Sequence, residues 1–216
     1  MSKTKALIVW GGWEGHHPKE CSEIFGTCLE SEGFDVEIRD TLDAYLDVAK
    51  LKELSLIVPM WTMGKISPEQ SAGLREAVKS GVGLAGFHGA MGDSFREDTE
   101  YQFMVGGQWV IHPDNITDYK VNICKKEDPI VAGLSDFAMH SEQYYMHVDP
   151  SNEVLATTVL QTESAPWING TVMPVAWKRA YGDARVFYSS LGHTPEDFKV
   201  TEAFEMIKRG MLWAAR

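Results

Sequence analysis

Cysteine is scarce in this chain, and the little there is forms no pattern. Cys21, Cys28 and Cys124 make no CxxC or CxxH unit and no even-numbered framework. That excludes a disulfide scaffold and a cysteine-based zinc ribbon, and a reducing, cytoplasmic setting is the expectation. Clusters of lysine and arginine are also missing. With a formal net charge of −11, the chain has nothing suited to neutralising the phosphates of a nucleic acid. No apolar run is long enough to span a bilayer, and no hydrophobic leader is recognisable before the first strand-like segment. Nucleic acid and membrane are thereby set aside as partners. Small neutral molecules or metal ions suit the acidic balance better.

What the chain does have is an ordinary globular composition: 216 residues, 44% hydrophobic and 24% charged. That suits a single domain over residues 1–216 with a sizeable core. Short apolar runs at 6–10, 35–39 and 54–59 read as strands, and so does the run that ends at His88. Between them lie helical patterns at 19–31, 42–50 and 67–79, the last opened by Ser67-Pro68-Glu69 as N-cap and first turn. This alternation predicts an α/β fold with a doubly wound, mostly parallel sheet of flavodoxin-like type. The regular period breaks after residue 90. An excursion over 92–115 follows, then strands at 119–124, 153–160, 173–178 and 185–190. The last two flank Tyr181-Gly182-Asp183 and predict an antiparallel hairpin, and a closing helix is expected over 195–215.

Candidate chemistry gathers where strands end. Gly86-Phe87-His88-Gly89 reads as a strand-to-helix elbow with a histidine at its apex. The first strand runs into Trp13, His16 and His17, the third into Trp61, and the hairpin into His193. His112 comes from the excursion, and Glu142 and Tyr144 from a later segment. In an open parallel sheet these positions converge on one crevice. His88, His193, His112 and Glu142 are the expected catalytic groups. Trp13, His17, Trp61 and Tyr144 are the expected substrate contacts, with His17 rather than His16 turned to the site. His140 and His147 are taken as structural. Several imidazoles with one carboxylate suit two chemistries. One is a divalent metal such as zinc, with His17, His88, His112 and His193 as its candidate ligands; the other is metal-free proton transfer. Aromatic side chains near the loops fit a sugar-like ligand, and their number leaves self-association into a homo-oligomer open.

An elbow of this kind followed late by a histidine and an acid resembles the class I glutamine amidotransferase arrangement. There the apex is a cysteine, whereas here it is His88, and His193 is followed by Glu196 at a different spacing. A thioester cannot form, and glutaminase activity is not expected.

The ordered motifs are similar to those of the ThuA-like (trehalose utilisation) family. They comprise His16-His17-Pro18-x-Glu20, Gly86-Phe87-His88-Gly89, Gly106-Gly107-x-Trp109-x-x-His112-Pro113, Ser141-Glu142-Gln143-Tyr144, Pro174-Val175-Ala176-Trp177 and Gly182-x-x-Arg185 running on to Gly192-His193. The fourth of these family segments more usually begins with an Asp-Glu pair where this chain has Ser141-Glu142. The resemblance implies an amidotransferase-like fold without the nucleophile, and a role in carbohydrate metabolism. It points to an enzyme of the sugar isomerase, lyase or hydrolase type acting on a disaccharide or 3-keto sugar by histidine acid–base chemistry, with a metal optional. The alternative is a non-catalytic sugar-binding or regulatory module.

Overall fold

The computed structural model describes residues 4–216. In chain order the elements are β1 (Thr4–Gly12), α1 (Pro18–Ser31), β2 (Phe34–Arg39), α2 (Val48–Leu51), β3 (Leu56–Thr62), α3 (Pro68–Lys79), β4 (Gly83–Phe87), α4 (His88–Gly92), α5 (Thr99–Val105), β5 (Gly107–Ile111), β6 (Ile116–Ile123), β7 (Phe137–Glu142), β8 (Tyr145–Val148), β9 (Glu153–Val159), β10 (Val172–Tyr181), β11 (Ala184–Ser189) and α6 (Thr201–Ala214). Nine of the strands form one sheet, in the order β2-β1-β3-β4-β11-β10-β9-β6-β7; β5 and β8 pair separately. The five strands from β2 to β11 are parallel. Beyond β11 every pairing is antiparallel.

Alternation in the strands sorts the core into two layers, because successive side chains leave opposite faces of a sheet. In β1, Ala6 and Ile8 join Phe25 and Leu29 of α1 and Met206 and Ile207 of α6. Leu7 and Val9 face the other way, with Leu74 and Val78 of α3 and, farther along the sheet, Trp177 and Tyr188. Both faces of the parallel half are therefore covered, as its continuous apolar strands require. Among the described residues, no helix is long and apolar enough to cross a membrane.

Three expectations need revision. The helix anticipated at 42–50 is a 3-10 turn (Leu42–Tyr45) followed by the short α2. Asp47 interrupts it by accepting a hydrogen bond from the Lys50 amide and starting a new helix. The helix expected over 195–215 divides at Val200, whose backbone is extended. The antiparallel part is larger than one hairpin, since β6, β7 and β9 extend the sheet beyond β10. β7 was unreadable as a strand because its exposed residues include His140 and its buried ones the polar Ser141 and Glu142.

The order β2-β1-β3 places β1 and β3 at the point where the sheet's winding reverses. The carboxyl ends of β1, β3, β4 and β11 lie side by side there, and an open α/β sheet offers its crevice at that end.

Candidate active site

Each of those strand ends delivers one part of a polar cluster. After β1, a 3-10 turn (Glu14–His16) brings His16 back over the sheet, where it is buried. After β4 the chain turns at once into α4, and His88 takes a left-handed backbone with φ of 46°. Non-glycine residues rarely hold that conformation. The next residue must be small: a Cβ on Gly89 would lie 2.5 Å from His16 Cε1. After β11, Gly192 turns the chain at φ of 103° and presents His193. Glu142, at the end of β7, reaches in from the antiparallel half.

The donor atoms converge. Glu142 Oε2 lies 3.1 Å from His88 Nε2, 3.4 Å from His193 Nδ1 and 4.0 Å from His16 Nε2. Ligand atoms of the four residues all fall within 4.8 Å of one another. His112 approaches the other carboxylate oxygen, with Nε2 3.6 Å from Oε1. Around the cluster, the Tyr144 ring stacks on His88 at 4.2 Å, and Trp13 meets His16 edge-on at 4.7 Å.

The outer ring nitrogens are fixed by neighbours. His88 Nδ1 lies 2.9 Å from the Ser190 carbonyl. That oxygen can only accept, so Nδ1 carries the hydrogen and Nε2 faces Glu142. His16 Nδ1 pairs with the Thr62 hydroxyl at 2.8 Å, leaving Nε2 turned inward. The His193 Nδ1 atom, also turned to Glu142, is buried without a hydrogen-bond partner. Imidazoles held from behind, with free nitrogens converging on one carboxylate, form a donor set suited to a divalent cation. Tetrahedral zinc, with bonds of about 2.0–2.1 Å, would separate its ligand atoms by about 3.3 Å. The three distances to Glu142 Oε2 bracket that value.

Two of the imidazoles are held toward the neutral form, and the carboxylate toward the charged one. Burial, reinforced by His88 and His193, drives the His16 pKa down to about 2. His193 is lowered as well, by burial first and then by His88, against the opposing pull of Glu142 and Asp197. Burial pushes Glu142 up, but the bond that His88 Nε2 donates when its ring is protonated, and the charge of the neighbouring histidines when protonated, outweigh it, and the net direction is down.

Residues 5–214 match the family described as ThuA, trehalose utilisation. The chain belongs to the ThuA family. Membership points to a carbohydrate-related role. Among solved structures, a ThuA-like protein of Bacteroides uniformis superposes with a TM-score of 0.82 at 20% identity, over 98% of this chain and 91% of that one. A ThuA-like protein of Parabacteroides merdae gives 0.77 at 20% identity, over 99% and 90%. A Salmonella typhimurium protein described as cytoplasmic gives 0.69 at 12% identity, over 99% and 100%. No curated protein matches. At these identities the structural likeness speaks for the ThuA fold alone.

Of the site residues read from the sequence, His88, His112, His193 and Glu142 come together in this ThuA protein. His17 does not, which corrects the choice made between the two adjacent histidines. Its side chain is 52% exposed and faces Glu20 at 3.7 Å, while His16 occupies the cluster. The reason is local. His17 is the N-cap of α1, directly before Pro18, and the third helical residue is Glu20, so cap and acid pair on the outer surface of the helix. That N-cap-to-N3 spacing was the available signal. Tyr144 is buried as a wall behind His88. Trp13 is partly exposed beside His16, whereas Trp61 packs against Gly11 and Gly64. His140 is an exposed partner of Asp118, and His147 lies on β8, outside the cluster. Thr62 and the Ser190 carbonyl had no sequence signal, because their role comes only from strand adjacency.

Proposed function

We propose that this ThuA protein is an enzyme acting on a disaccharide or 3-keto sugar, related to trehalose, by histidine acid–base chemistry with a divalent metal such as zinc. The convergence of His16, His88, His193 and Glu142 carries this reading. These four residues would hold the ion, with Thr62 and Ser190 orienting two of the imidazoles. A divalent cation there would polarise a keto oxygen of the sugar and acidify the neighbouring C–H. His112 stands outside the four, nearer the mouth, and is the histidine placed to exchange a proton with a substrate. Glu142 serves both groups through its two oxygens. Trp13 and His112 line the approach. A cytoplasmic location fits the three free cysteines.

Glutaminase chemistry is disfavoured on chemical grounds. The elbow carries an imidazole, and Cys21, the cysteine beside the cluster, is buried against the His16 carbonyl with its thiol pushed up to about 12. It would not be a thiolate at neutral pH.

Tag-free protein incubated with trehalose and with 3-keto-trehalose tests the reading, alongside His88→Ala and His193→Ala. We expect one of the sugars to be consumed by the wild type and about 100-fold more slowly by either variant. Equal binding by all three proteins with no consumption would leave the sugar-binding module as the correct description.

A further inference from the structure

The segment between α4 and α5 carries a second feature that the ligand cluster does not use. Arg96 is clamped by Asp93 through two bonds, Nε to Oδ1 at 2.6 Å and Nη2 to Oδ2 at 2.8 Å. Asp93 is buried, while the Arg96 side chain is 44% exposed. The guanidinium lies 4.7 Å over the Trp109 ring. Trp109 meets His112 at 5.6 Å and the edge of Tyr144 at 6.2 Å, and Tyr144 stacks on His88. A continuous series of planar groups therefore runs from the cluster to Arg96.

The backbone that presents Arg96 is constrained. Phe95 (φ 48°) and Met63 (φ 60°) are both left-handed without being glycine. Their loops are tied together by Met63 N to Asp93 O at 2.9 Å and Phe95 N to Met63 O at 3.1 Å. Such conformations are strained and gather at ligand clamps. They do not serve to cap α5, which has its own cap in Asp98. Their visible consequence is the placement of Asp93 and Arg96 beside Trp109.

The chemistry of this pair is selective. Arg96 Nη1 has no hydrogen-bond partner among the described residues, so it keeps donors available at the partly exposed edge. Its charge is already matched by Asp93, with Glu142 deeper in the crevice. An incoming phosphate or carboxylate would be repelled by those carboxylates, whereas a neutral hydroxyl could accept from Nη1 without that penalty. Arg96 itself is not among the residues whose ligand atoms converge at the cluster.

We propose that Arg96, clamped by Asp93 over Trp109, is a specificity-determining residue that binds the hydroxyls of a second, non-reacting, neutral sugar ring. This inference rests on the carbohydrate reading above. It assigns Arg96 to KM and to the preference for two-ring over one-ring sugars, and assigns it no part in the chemical step.

Calorimetric titration of the full-length, zinc-loaded protein with trehalose, glucose and trehalose 6-phosphate tests it, with Arg96→Gln and Arg96→Lys compared. The wild type should prefer trehalose to glucose by about tenfold or more, and Arg96→Gln should bring the two within about twofold. Arg96→Lys should fall between, because lysine keeps Asp93 paired but lacks the planar fork. Zinc content should be the same in all three proteins. The inference is overturned if the preference survives in Arg96→Gln or is absent from the wild type. It is also overturned if the wild type binds trehalose 6-phosphate more tightly than trehalose and Arg96→Gln abolishes that gain. Failure of the carbohydrate reading is visible separately, as wild-type protein that neither binds nor consumes any of these sugars. If sugar is consumed and Arg96→Gln shifts KM less than about twofold, only the Arg96 assignment fails.

Discussion

At the scale of single residues, the contrast between His16 and His17 is the sharpest consequence of the structure. The two are adjacent in sequence, yet His16 is 7% exposed within the cluster while His17 stands in solvent as a helix cap. His16→Ala should therefore abolish stoichiometric metal binding, and His17→Ala should leave it within about twofold, as read by zinc titration with a competing chelator. The same burial fixes a pH dependence. An unfolded chain protonates His16 near pH 6.5, but the native chain resists protonation down to about 2. The unfolded state thus binds more protons between those values, and stability is lost as pH falls below about 6.5. His193 is shifted in the same direction. In chelator-treated protein the urea midpoint should drop from pH 7.5 to pH 5.5, and His16→Gln should make the drop smaller. An equal drop in His16→Gln would argue that His16 is not the group responsible.

At the scale of elements, the elbow joining β4 to α4 sets the geometry. The Tyr188 hydroxyl donates to the His88 carbonyl at 3.0 Å, anchoring the turn to β11. Gly89 leaves room for His16 and for the Tyr144 hydroxyl. Gly89→Ala should displace His16, costing about 1–3 kcal/mol of stability and weakening metal affinity about tenfold or more. Ser67→Ala provides the opposite case. It removes the capping box at the start of α3, which contributes no residue to the cluster. The expected cost is about 1 kcal/mol in urea unfolding with metal affinity unchanged. A metal effect from Ser67→Ala comparable to that of Gly89→Ala would mean that general stability, and not His16 placement, governs binding. The elbow and the α3 cap were both legible in the sequence because glycine, proline and serine act locally there. β7 and β8 were not legible, since edge strands bearing His140, Ser141, Glu142 and His147 lack the continuous apolar runs of β1 and β3.

At the scale of the whole molecule, the site belongs to no single segment. His16, His88, Glu142 and His193 come from four separated stretches and meet because β1, β3, β4 and β11 are neighbours and β7 closes the far edge. Strand order explains why His88 and His193 could be expected to converge from the sequence. It also explains why Thr62 and Ser190, which orient the rings, could not: their roles depend on which strand lies beside which. We propose that this convergence is a metal centre. Elemental analysis of tag-free protein, purified without added metal and then titrated with zinc, tests it most directly. The prediction is about one divalent ion per chain, bound stoichiometrically in the wild type and lost in His16→Ala, His88→Ala and Glu142→Ala. Folded wild-type protein that carries no divalent ion and takes up none on titration would contradict it.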